Sequence, residues 1–174
     1  MTRPSWLPEP LDFATDFSGN WDDFLEASYG IFEADLIAGA AYYHGKKVIL
    51  SRNYPDLGDG KHPSYWHIVS TGDGKTEASK VADPKRMEVV GWIKPILENC
   101  PDDDLLEWKA VRSNSKRRGN ARTVVWCKKH NFVIFLKELD YVYVILSAYR
   151  TEYPGTIRDL DAEYNQFLSE QNQE

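Results

Sequence analysis

"VVWCKKHNFVIFLKELDYVYVILSAYRTE", residues 124–152, is the stretch on which the fold turns. It carries three runs rich in β-branched and aromatic residues, separated by connections of only a few residues. With one similar run upstream, the pattern predicts strands over Leu105–Val111, Thr123–Lys129, Phe132–Leu139 and Tyr141–Tyr149. The short links suit hairpins, so sequential antiparallel pairing is expected over parallel crossovers. On strict alternation, Ser147 and Tyr149 share a face with Tyr143 and Ile145.

Working outward, Ile157, Leu160, Tyr164 and Leu168 recur at helical spacing after the last strand. In "DPKRMEVVGWIKPILENC", residues 83–100, Asp83 is a good cap and Pro84 a good first residue, and Pro95 should bend or split the helix. Asn20 can cap an N-terminal helix whose first turn holds Asp22 and Asp23. Lys47–Ser51 reads as a short early strand. The expected fold is α+β: an antiparallel β-meander sheet packed against an N-terminal, a middle and a C-terminal helix. Residues 1–174 form a single domain in this reading, with 1–19 an extended arm and 20–170 the body.

The chain of 174 residues has a hydrophobic share of 42% and a net charge of −6, which fits a globular protein and argues against indiscriminate polyanion binding. No stretch matches a signal peptide or a bilayer span, so a cytoplasmic protein without a membrane partner is expected. Cys100 and Cys127 lack the spacing of a zinc or redox pair, and His62 and His67 lack the helical two-histidine arrangement; no metal or cofactor is expected. The segment Lys109–His130 contains eight basic residues and no carboxylate, leaving 13 basic and 27 acidic side chains elsewhere. Such segregation either focuses positive potential on one face, with Lys116, Arg117, Arg118 and Arg122 as substrate contacts, or marks a solvated basic hairpin loop.

"KHPSYWHIVSTGDGK", residues 61–75, places His67 in a run that alternation reads as a strand over Tyr65–Thr71. Histidine there can both accept and deliver a proton near neutral pH. Lys85 and Arg86 open the middle helix, and "LSAYRTEYPG" ends the last strand with Ser147, Tyr149, Arg150 and Thr151. Guanidinium, phenol and hydroxyl groups together suit a phosphate. If these groups meet, metal-free RNA cleavage is the natural chemistry: His67 is base or acid, Arg86 or Arg150 holds the phosphate, and Tyr149, Ser147 or Thr151 orients it or helps pass protons.

The order of "YWHIVS", "DPKRMEVVGWIKPILE" and the three-strand stretch resembles small phage- and prophage-associated proteins of the barnase, EndoU, colicin and RelE-like nuclease superfamily. The resemblance implies a toxin-like or tRNA-cleaving RNase fold with catalytic groups on an open sheet face. It places His67 at an active-site histidine, Arg86 at a basic residue of the following segment, and Ser147 and Tyr149 at polar positions of the terminal strand. The expected partner is RNA, with tRNA a candidate, or a protein such as an antitoxin. The rival expectation is a noncatalytic phage or mobile-element interaction or regulatory protein that retains the fold.

Overall fold

The structure, a computed structural model, describes residues 2–72, 80–111 and 121–172. Asn20 caps α1 (Trp21–Glu33), its side chain accepting from the backbone N–H groups of Asp22 and Asp23. Phe24, Ser28 and Phe32, four residues apart, form the buried stripe of this helix. A hairpin follows, β1 (Ala41–Tyr43) and β2 (Lys46–Leu50), turned by His44 and Gly45, both at positive φ. That two-residue turn matches the right-handed strand twist.

The predicted strand around His67 is a helix instead: α2 spans Pro63–Val69. His62 caps it through Nδ1, which accepts from the Ser64 N–H at 3.1 Å, and Pro63 occupies the first turn, where its missing N–H is not needed. Tyr65, Ile68 and Val69 are buried, at the i, i+3, i+4 spacing of a helix face. The run is so short that helical and extended periods both fit it, and the cap and proline decide.

A two-stranded ribbon, β3 (Ser70–Thr71) with β4 (Val81–Ala82), leads to α3 (Pro84–Met87). The middle helix is split: a 3-10 turn at Val90–Trp92 separates α3 from α4 (Ile93–Glu98). Pro95 thereby falls in the first turn of α4, where an imino nitrogen is tolerated.

Then come β5 (Leu106–Val111), β6 (Ala121–Cys127), β7 (Phe132–Glu138), β8 (Val142–Arg150) and α5 (Pro154–Gln171). β5 to β8 form the antiparallel meander. The sheet as a whole is mixed, in the order β1-β2-β8-β7-β6-β5. β2 lies parallel to β8, with Val48 opposite Tyr143 and Leu50 opposite Ile145, so the expectation of a purely antiparallel sheet is corrected. The segment between these strands holds helices and most of the chain, ample for a crossover.

The sheet curls until its two edge strands meet, Tyr43 Oη of β1 donating to Glu107 Oε1 of β5 at 2.5 Å. Phe24, Phe32, Tyr65, Ile96 and Leu97 pack on one sheet face with Val125, Ile134 and Ile145. The other face buries Trp108, Val124, Trp126 and Val133 with Leu160 of α5. The N-terminal arm lies over the body: Leu7 is buried, and Trp92 Nε1 donates to the Pro8 carbonyl at 3.0 Å. Among the described residues, no helix is long and apolar enough to cross a membrane.

Candidate functional site

A β-bulge builds the site. On β7, Phe135 pairs with Ser147 and Leu136 with Ile145, so Leu146 is an extra residue of β8. A bulge breaks alternation and re-aims the side chains beyond it. Tyr143, Ile145 and Ala148 consequently join one core, while Leu146 and Tyr149 pack on the opposite side. The expected shared face of Ser147 and Tyr149 with Tyr143 and Ile145 is therefore corrected, and the shift turns both polar residues toward an open cavity.

The bulge also frees the Leu146 carbonyl. It accepts from His67 Nε2 at 3.1 Å and from Tyr54 Oη at 3.3 Å, while the Tyr54 ring stacks on the imidazole at 3.8 Å and 14°. Lys80 Nζ lies 3.0 Å from His67 Nδ1. Since a carbonyl only accepts and an ammonium only donates, these two contacts are those of the tautomer that carries its proton on Nε2.

His67 lines a cavity of about 590 Å³ together with Lys80, Lys85, Arg86, Ser147, Tyr149 and Arg150. Asp83 and Glu152 are the carboxylates among its described residues. Among the described residues four cations thus face two anions, within a chain whose net charge is −6. Arg86 is half-buried: Nη1 donates to the Ser70 carbonyl at 3.0 Å, and the guanidinium lies over the Tyr149 ring at 4.6 Å. Burial lowers its pKa, opposed by the nearby Asp83 carboxylate. Lys85 Nζ bonds Glu152 at 3.0 Å, a contact that raises the lysine's pKa. Arg150 lies over the Trp92 ring at 5.1 Å.

Seven of the side chains named from sequence therefore line one cavity: His67, Lys85, Arg86, Ser147, Tyr149, Arg150 and Thr151. Thr151 is a wall residue, 1% exposed, whose Oγ1 donates to the Asn131 carbonyl at 3.0 Å. Arg122 stands apart, in a neighbouring cavity with Phe135 and Lys137 that shares His67, Ser147 and Tyr149. It pairs with Glu163 at 3.0 Å and lies over the Phe135 ring at 4.3 Å. Lys116, Arg117 and Arg118 lie outside the described residues.

Folding also blunts the charge segregation read from sequence. Lys109 pairs with Glu138, Lys128 with Asp161, and Lys129 with Asp104, each a carboxylate outside the basic stretch. Tyr54 and Lys80, both in contact with His67, were not among the expected site residues. Each is a single side chain in a loop or short strand margin, without a motif to mark it.

Among the described residues, no group of three His, Cys, Asp or Glu side chains gathers in a metal-holding arrangement. Cys100 and Cys127 are free thiols whose pKa values burial pushes up, Cys127 to about 11. Comparison with protein-family models, with curated proteins and with solved structures returned no match.

Proposed function

We propose that the His67 cavity binds an RNA phosphate and that the protein is an endoribonuclease of the toxin-like or tRNA-cleaving kind, acting without a metal. The observation carrying this reading is the convergence of an imidazole, three or more cations and a phenol on one solvent-open hollow. An arriving phosphate competes for the Lys80 ammonium, which lies 3.0 Å from His67 Nδ1. Nδ1 then takes the proton of the ribose 2′-hydroxyl, and the 2′-oxygen attacks phosphorus. Arg86 and Lys80 hold the charge that develops on the phosphoryl oxygens. The bond to the 5′-oxygen breaks, and the Tyr149 hydroxyl, beside Arg86, delivers a proton to that leaving group. The products are a 2′,3′-cyclic phosphate and a free 5′-hydroxyl. DNA lacks the attacking group and is not a substrate.

A second reading, anion binding without cleavage, is favoured by one observation: both ring nitrogens of His67 already have partners. It corresponds to an interaction or regulatory protein of phage or mobile-element type.

One experiment separates the two. Purified protein is incubated with total tRNA in excess chelator, and the ends of any fragments are analysed. Cyclic phosphate ends that disappear in His67→Ala support the enzyme. Intact tRNA that binds with steep salt dependence supports the binding protein.

A further inference from the structure

Behind the wall formed by His67, Ser70 and Lys80 lies a smaller hollow of about 230 Å³, and these three residues face both it and the phosphate cavity. Its far side comes from the loop between β2 and α2, with Tyr54, Leu57 and Asp59, and from Trp66 on α2. Whole drug-sized ligands occupy pockets of about 300–1,000 Å³, so this hollow suits a single planar ring system.

Its walls have the character such a ring needs. Leu57 is 57% exposed, an apolar side chain left at the surface of the loop. Trp66 is fixed in orientation by Nε1 donating to Asp59 Oδ2 at 2.7 Å, and the Lys61 N–H donates to Asp59 Oδ1 at 3.0 Å. Each carboxylate oxygen keeps a further lone pair for another donor. An aspartate at the edge of an aromatic and aliphatic slot accepts from an exocyclic amino group, as acidic side chains do toward cytosine N4. Uracil presents a carbonyl oxygen at the same position, which the carboxylate repels.

We propose that this hollow is a nucleobase subsite, taking an unstacked amino-bearing base of the nucleotide whose phosphate sits in the adjoining cavity. The inference rests on the phosphate-binding reading of the His67 cavity and adds selectivity to it. His67 and Lys80 form the partition, so base and phosphate of one nucleotide bracket the imidazole.

The test uses the full chain and calorimetric titration with inorganic phosphate, cytidine 3′-monophosphate and uridine 3′-monophosphate. The cytidine nucleotide binds at least about fivefold more tightly than phosphate, since stacking on an aromatic side chain contributes at least that factor. It also binds more tightly than the uridine nucleotide, and Asp59→Asn narrows that gap. Trp66→Ala collapses the ratio of cytidine nucleotide to phosphate toward one. Leu57→Ser, on an exposed loop and safe for folding, reduces the same ratio. Equal binding of phosphate and cytidine nucleotide, or a ratio that survives both variants, overturns the subsite while leaving the phosphate cavity standing. Failure of the unaltered chain to bind phosphate at all overturns the parent reading instead.

Discussion

The carbonyl of Leu146 accepts the Nε2 proton of His67 at 3.1 Å, and it is available because Leu146 is the bulge residue of β8. A regular strand would have spent that carbonyl on the ladder to β7. The irregularity in the sheet thus fixes the tautomer of a side chain on a separate helix. It is also the reason that Ser147 and Tyr149 face the cavity.

The ring of His67 is expected to carry its proton on Nε2 when its partners are in place. Long-range ¹H–¹⁵N correlation spectra of the imidazole distinguish the two tautomers directly. Observation of the Nδ1-protonated form contradicts the Leu146 and Lys80 contacts.

Arg86 donates to the carbonyls of Ile68 and Ser70 and lies over Tyr149. Arg86→Ala leaves those acceptors without this donor and lowers stability by about 1–3 kcal/mol, measured by urea denaturation. Arg86→Lys keeps the charge but loses the planar fork, and phosphate affinity falls by about tenfold with the loss of one charge-assisted hydrogen bond. Unchanged affinity in the lysine variant removes Arg86 from the anion site.

Glu138 accepts from Lys109 at 2.6 Å and from Lys46 at 2.9 Å, and these contacts hold its pKa down at about 2, against an ordinary value of 4.5. A folded-state pKa below the unfolded value gives stability that is present above pH 4.5 and lost as pH falls toward 2. Glu138→Gln should therefore lose less stability than the unaltered chain between those limits. Thermal melting across that window checks it, and parallel curves for the two proteins refute the contribution.

Tyr43→Phe removes the hydroxyl that joins the two sheet edges through Glu107. A hydrogen bond to a charged acceptor contributes about 1.5–3 kcal/mol, and the variant should be destabilised by that amount. An unfolding midpoint matching that of the unaltered chain shows that the edges stay together without it.

Much of the site was legible because its parts carry local chemistry. Lys85 and Arg86 follow a cap and a proline, and Ser147, Tyr149 and Arg150 end an unmistakable strand, so their types and positions could be named. The reading of His67 as a strand residue failed on a seven-residue run where two periods coexist, and the His62 cap was the signal that could have resolved it. The bulge at Leu146 left no mark in the alternation, because hydrophobic residues occupy both faces of β8. The parallel partnership of β2 with β8 and the Tyr43 contact with Glu107 join residues far apart in the chain, which local periodicity does not encode. Lys80 owes its place to the β3–β4 ribbon that brings it back to His67.

β8 supplies the parallel neighbour of β2, the acceptor for His67 and two side chains of the cavity. The hollow therefore stays unmade until β8 has docked between β2 and β7. Assembly of the cavity is thereby tied to closure of the long-range parallel pairing, a topological interlock that no local segment completes alone.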